Sequence, residues 1–295
     1  MNALPTHAPR GRRRPSWLAA PLLALAGCGL ADLRPAELRA HGISAARARR
    51  GRALLRACAE RHGGLERWRS HRGAEILFVD RWNGLLGSLL CPWPARRQTV
   101  RLRLRLGSEA AACRFEDGPA AGRGWRVDEA GRTFLRDAQG RERPVDLPEA
   151  RFILRAYRFF FELPYVLLDA PVVAWAGRTR LDDRPVDLVF VTWDRPAPHR
   201  AHDQYLLWID ARDRRLRAAQ YTIRDKGDWV VGANRFGRWH WVAGSLVPFE
   251  QRIAFRPDDP DFLHGPRLRA VRFLDEAPRA GPTTAPTAPV RTPGE

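Results

Sequence analysis

The clearest pattern in the chain is the alternation of Val100, Leu102, Leu104 and Leu106 with Arg101, Arg103 and Arg105. Side chains on a strand point to opposite faces with a period of two, so this segment gives a sheet one apolar and one charged face. Runs of the same kind recur at 74–82, 112–115, 125–128 and 133–136, punctuated by Gly107, Gly118, Gly122, Gly131 and Gly140. That is the spacing of an antiparallel meander. More strands are predicted at 172–178, 186–193, 204–210, 216–224, 236–242, 249–255 and 268–274. Their turns fall at Asp182 and Asp183, at 210–213 and at Gly244 and Ser245. The 186–193 strand is apolar on both sides, with Val186, Leu188 and Phe190 against Val189, Val191 and Trp193, so it needs cover on both faces.

Helical periodicity is confined to a few places. Over 45–62, Leu54, Leu55 and Cys58 gather on one face opposite a ring of arginines, with Ser44 placed to cap the helix and Gly63 and Gly64 to stop it. Leu65 and Trp68 begin a short second turn, and an apolar helical stretch over 148–168 interrupts the strands. The segment 84–90 is apolar and flanked by Asn83 and Pro92, which suits either a membrane-facing loop or a buried one. Ten or more strands with so few helices exclude an alternating parallel fold. They predict a mainly β, α+β domain built on one large, curved antiparallel sheet.

The ends of the chain have a different character. Arg10, Arg12, Arg13 and Arg14 precede an apolar run over 17–26, too short to span a bilayer as a lone helix. The run closes on Leu25, Ala26, Gly27 and Cys28, which resembles the lipobox of bacterial lipoproteins. That resemblance implies a signal peptide over 1–27 and acylation of Cys28; an ordinary cleaved signal or a retained anchor are the alternatives. Each buried methylene of an acyl chain contributes about 0.8 kcal/mol, so such chains hold a domain on a membrane without a spanning helix. Gly29 stands where an aspartate would favour the inner membrane, which implies the outer membrane, facing the periplasm. Residues 28–45 read as a tether, 46–277 as the β domain and 278–295, rich in Pro, Thr and Ala, as a disordered tail.

A net charge of +18 would ordinarily suggest nucleic acid. Here the basic residues are all arginine except Lys226, and they alternate with apolar residues instead of clustering with stacking aromatics. No nucleic-acid partner is expected; an anionic membrane surface suits the charge better. Of the cysteines beyond Cys28, Cys91 and Cys113 lie in the β-rich region and could pair in an oxidising periplasm, while three buried thiols including Cys58 are the equal alternative.

The segment His62, Gly63, Gly64, Leu65, Glu66, Arg67, Trp68 after a helix resembles the opening of the LolA/LolB-like lipoproteins. So do Phe159, Phe160, Phe161, Glu162, Leu163, Pro164, Tyr165, then Asp203, Tyr205, Leu207, Ile209, Asp210, and finally Leu246, Val247, Pro248, Phe249. The ordered set covers most of 45–275. The resemblance implies an unclosed antiparallel β-barrel covered by helices, with a cavity that holds lipid or lipoprotein acyl chains. Phe159, Phe160, Phe161, Trp175, Trp208, Tyr221, Trp239 and Trp241 are the aromatics expected near that cavity, although an aromatic stripe at strand spacing also serves as ordinary core.

Catalytic signatures are scarce. No Gly-x-Ser-x-Gly elbow occurs, and Lys226, between Asp225 and Asp228, completes neither a phosphate loop nor a Schiff-base site. His199, His202 and Asp203 are of the right types for zinc but lack a second cluster, and Asp258, Asp259 and Asp261 lack the spacing of a calcium loop. Both read as polar turns. The chain is thus read as a non-enzymatic, membrane-anchored binder of an apolar ligand, without a cofactor. The competing readings are an envelope hydrolase assembled from residues such as His62, His240 and Asp203, and a structural lipoprotein with no ligand.

Overall fold

The computed structural model describes residues 29–275; the lipobox residues up to Cys28 and the Pro-rich tail lie outside the described residues. Helices α1 (Ala36–His41), α2 (Ala45–Arg61) and α3 (Leu65–Ser70) lead into strand β1 (His71–Arg81) and the short helix α4 (Gly84–Leu90). A meander follows: β2 (Arg97–Arg105), β3 (Ala111–Phe115), β4 (Gly124–Val127), β5 (Thr133–Arg136) and β6 (Glu142–Pro144). Helix α5 (Pro148–Glu162) then connects to a second meander of β7 (Val172–Leu181), β8 (Arg184–Thr192), β9 (Tyr205–Asp210), β10 (Leu216–Thr222), β11 (Val231–Val242), β12 (Ser245–Ala254) and β13 (Arg267–Asp275).

The two meanders are fused where β13 pairs antiparallel with β1, giving one 13-stranded antiparallel sheet with β6 and β7 as its free edges. The sheet is not closed, as the resemblance implies. The alternation that announced β2 sets its burial: Val100, Leu102 and Leu104 are buried, while Arg101 and Arg103 face the other way and Arg101 pairs with Glu75 and Glu116. Helix α5 stops at Glu162 because Pro164 disfavours helical backbone at the residue before it. It therefore ends earlier than its apolar composition predicts.

One face of the sheet holds two cores. Ile76, Phe78, Val100, Leu102, Leu104 and Phe115 enclose Ile153, Leu154 and Phe161 of α5. Val189, Val191, Leu207, Ile209 and Ala219 pack against Leu54, Leu55 and Cys58 of α2. Each of these fully buried aliphatic or aromatic side chains contributes about 1.5–3 kcal/mol relative to exposure. The Ser44 hydroxyl caps α2 by accepting from the Arg47 amide at 3.3 Å, as the sequence predicts.

Gly51 lets α2 approach this closely. A Cβ there would lie 2.5 Å from the backbone carbon of Ala174 and the nitrogen of Trp175 in β7, which real contacts do not tolerate. Gly51→Ala is therefore expected to cost about 1–3 kcal/mol through forced separation of helix and strand. A thermal melt indistinguishable from the parent chain would refute this close-packing account.

The segment read as a tether is ordered and folded onto the sheet. Leu33, Leu38 and Ile43 pack on Ala174, Ala176, Leu188, Phe190 and Leu206, the face of β7–β9 turned away from α2. The Leu33 amide donates to Gln204 Oε1 at 2.9 Å and the Ala31 amide to the Asp228 carbonyl at 2.8 Å. This is the second cover that a strand apolar on both faces requires.

Candidate functional site

The expected cavity residues do not form one lining. Phe159 and Phe160 reach from α5 to the β7–β10 half, where Phe159 stacks on Tyr205 at 4.8 Å and Phe160 tilts against Tyr221 at 4.7 Å. Phe161, one position on, points into the other core beside Trp68 and Phe273. Trp239 packs by its edge on His62 at 4.7 Å next to Phe236. Trp175 donates its indole N–H to Asp187 at 3.1 Å and lies beneath the Arg50 guanidinium at 3.7 Å.

Two residues are corrected outright. Trp208 packs with Leu181, Val186 and Ala218 and with the N-terminal segment, on the face opposite Phe160. Trp241 is 57% exposed, near the β11–β12 turn. The pairing of Cys91 with Cys113 is also absent: all three described cysteines are free thiols. Cys91 turns its sulfur toward the carbonyls of Trp93 and Ala95, at 3.7 and 3.6 Å, while Cys113 is buried in β3, where loss of solvent pushes its thiol up to about 12.

The hydrolase residues are held apart. His62 ends α2 and its Nε2 accepts from the Leu216 amide at 3.2 Å. His240 is exposed on β11, against the Phe249 ring. Asp203 accepts from the Thr222 hydroxyl at 2.8 Å and from the Arg224 amide at 2.9 Å, before the start of β9. Among the described residues no group of His, Cys, Asp and Glu could hold a metal; His199 and His202 stack on each other instead.

What remains is the seam where the two cores meet under α5, marked by the ring contacts of Phe159 with Tyr205 and of Phe160 with Tyr221. On the same face of the sheet, in β11, Asn234 sits opposite Ala219 and one pleat along from Gly232, which pairs with Tyr221. Asn234 Nδ2 donates to Gln251 Oε1 at 2.6 Å, but Asn234 Oδ1 is buried without a partner. An unfilled buried acceptor costs about 1–3 kcal/mol, so a donor placed there is favoured.

A second constellation was not foreseen from sequence. Asp80 is fully buried on the inward face of β1, and its Oδ2 accepts from Trp82 Nε1 at 2.8 Å, Trp93 Nε1 at 2.7 Å and the Tyr157 hydroxyl at 2.7 Å. His264 Nδ1 lies 3.1 Å from Oδ1, and its ring stacks on Trp82 at 3.9 Å. Burial pushes the carboxyl up, but the attraction of His264 and the hydrogen bonds from His264, Tyr157 and Trp93 outweigh it and hold Asp80 below the usual carboxylate range. The cluster ties β1, the segment after α4, helix α5 and the β12–β13 loop to one carboxylate. Its donors are spent on Asp80, so its role is to fix geometry.

An open groove of about 520 Å³ lies on the other face of β1–β4, bordered by Arg72, Arg103, Arg105 and Arg126. Arg105 is paired with Glu129 and Arg126 with Glu142, so this is a screened, solvated surface rather than an acyl cavity.

No family model matches the chain, and no curated protein matches it. Solved structures do. A DUF1329 family protein from Desulfovibrio piger aligns over 77% of this chain and 93% of its own length, with a TM-score of 0.51 and 12% identity. A LolA superfamily protein from Nitrosomonas europaea aligns over 76% and 94%, with a TM-score of 0.45 and 9% identity. The described architecture is the one that the sequence resemblance implied: an open antiparallel sheet wrapped on helices. The fold is shared with the DUF1329 family protein. Identities this low speak for the fold alone. Within this fold α5 and α2 are the covering helices, and the seam beneath α5 is where the covered face changes from one core to the other.

Proposed function

We propose that the chain is a membrane-anchored lipoprotein that binds a lipid or acyl chain in the seam under α5, as a fixed receptor in envelope lipid or lipoprotein handling at the outer membrane. The observation that carries this reading is the buried, unpartnered carbonyl of Asn234 on the same sheet face as the aromatic pairs Phe159–Tyr205 and Phe160–Tyr221. Ligand sites are mostly apolar with a few placed polar groups that fix orientation. Asn234 Oδ1 would accept from a hydroxyl or amide of the lipid near its chain, while Phe159 and Phe160 would flank the hydrocarbon. The reading is one of binding, because the titratable residues that could do chemistry are apart and already bonded. Acylation of Cys28 would keep such a domain at one membrane, which favours a receptor over a shuttle.

The variant Phe160→Asp tests the placement. Phe160 is half-buried, so the charge falls on the seam without entering a closed core. Lipid recovered with the purified variant is expected to drop at least about tenfold, the equivalent of ~1.4 kcal/mol, while fatty-acid labelling of Cys28 continues and Trp241→Asp retains lipid as the parent does. Undiminished lipid in Phe160→Asp would rule the seam out as the site.

A further inference from the structure

Helix α4 is amphipathic the wrong way round for a water-facing surface. Its buried residue is Gly87, while Leu85 and Leu89 are 79% and 74% exposed and Leu86 and Leu90 are also in solvent. The glycine is seated on the backbone of the β12–β13 loop, where an added Cβ would meet the Leu263 carbonyl oxygen at 2.7 Å. This orientation is held by the fold. The Asn83 amide donates to the Leu263 carbonyl at 2.7 Å and Asn83 Nδ2 to the Phe262 carbonyl at 3.3 Å. Asp80 grips Trp82 just before the helix and Trp93 just after it. The leucines are therefore presented outward from a rigid base.

The other exposed large apolar residues are distributed unevenly. Antiparallel pairing puts the β1–β2 connection that contains α4, the β12–β13 loop and the β10–β11 loop on the same edge of the sheet. Phe255 and Trp229, both exposed, leave from that edge; among the described residues only Trp241 stands exposed at the opposite one. Arg81 and Arg97, cross-strand neighbours at the base of α4, are both exposed and carry no ion pair among the described residues. The N-terminal segment meets the same edge. Besides the bond from the Ala31 amide to the Asp228 carbonyl, the Arg224 guanidinium donates to the carbonyls of both residues. Two residues, Gly29 and Leu30, separate Cys28 from Ala31 in this clasp, a reach of roughly 10 Å over three residue steps.

We propose that this edge docks onto an anionic phospholipid bilayer, with the leucines of α4, Phe255 and Trp229 entering the interfacial layer and Arg81 and Arg97 meeting headgroup phosphates. The proposal rests on acylation of Cys28, which would place the same edge against the membrane. Burying leucine side chains is favourable by itself, and free guanidiniums add attraction to anionic lipid. The domain would then stand on the bilayer with a defined orientation instead of swinging from its anchor.

The test uses the full chain, acylated and extracted from membranes, with a polarity-sensitive fluorophore attached in Ser88→Cys or, separately, in Trp241→Cys. Each is reconstituted in phosphatidylglycerol vesicles with or without brominated acyl chains. Quenching by the brominated lipid several-fold greater at position 88 than at position 241 is expected, and Leu85→Asp combined with Leu89→Asp should abolish the difference. Equal quenching at both positions, or a position 88 probe shielded from water but not quenched, overturns the proposal; the second result would mean that protein covers the helix. Native mass spectrometry of the same samples separates the two readings, since absence of a bound lipid with position 88 quenched faults the ligand site and leaves the docking edge standing.

Discussion

Asp80→Ala is expected to lower the unfolding free energy by about 3–5 kcal/mol, the range for breaking a buried charge cluster. The substitution removes the shared acceptor of two indole N–H groups, the Tyr157 hydroxyl and His264. Trp93→Phe and Tyr157→Phe each remove one donor and should cost about 1.5–3 kcal/mol, the value of a hydrogen bond to a charged group. In the Asp80→Ala background the same two substitutions should cost much less, because their partner is already gone. Urea unfolding of the single and double variants measures this; additive losses would show that the cluster does not act as a unit. The depressed Asp80 carboxyl also gives a pH signature: its contribution is present above the unfolded value, near pH 4, and is lost as pH falls below it.

His62 is expected to produce a separate and earlier acid sensitivity. Burial beneath Trp239, with Arg61 and Arg215 adding to it and Asp213 opposing, pushes the imidazole from 6.5 down to about 3. The native ring stays neutral with Nε2 accepting from Leu216, whereas the unfolded chain takes up a proton once pH drops below about 6.5. Stability is thus fully present above pH 6.5 and falls by up to about 1.4 kcal/mol per pH unit as the solution is acidified toward the folded value. His62→Gln offers Leu216 an acceptor that does not titrate. It should be less stable than the parent at pH 7, yet lose correspondingly less between pH 6.5 and pH 4.5. Parallel slopes for the two proteins over that window would contradict a neutral buried His62.

The sheet was legible because its alternation is strict. Val100, Leu102 and Leu104 against three arginines permits one orientation only, since a slip of one residue would bury the guanidiniums. The same logic fails on β8 and β9. Where Leu188 to Val191 are apolar at every position, parity does not say which face turns toward α5, and Trp208 was assigned to the wrong one. The deciding information was the packing of Leu38 on the far face, hidden in a segment whose Pro35, Gly42 and Ser44 made it read as a linker. Cys91 and Cys113 shared a region but not a geometry, because sequence does not show that Cys91 turns back onto its own loop.

The unforeseen residues did leave a trace. Asp80 occupies the inward parity of Ala74, Ile76 and Phe78, where a carboxylate needs donors, and Trp82 and Trp93 flank the next loop. Asn234 likewise stands at the parity of Phe236. A polar residue at a core position asks for a partner, and for Asp80 that partner is inside the protein. For Asn234 Oδ1 it is not. This difference separates a cluster that holds the fold together from a buried acceptor that the proposed ligand would fill.

Native mass spectrometry of the parent chain, extracted from membranes with its covalent anchor intact, tests the central claim most directly. The account requires a population carrying the mass of one additional, non-covalent lipid that disappears in Phe160→Asp. A chain of anchor mass alone, found under conditions that preserve weakly bound lipid, would contradict it and leave a packed structural lipoprotein in its place.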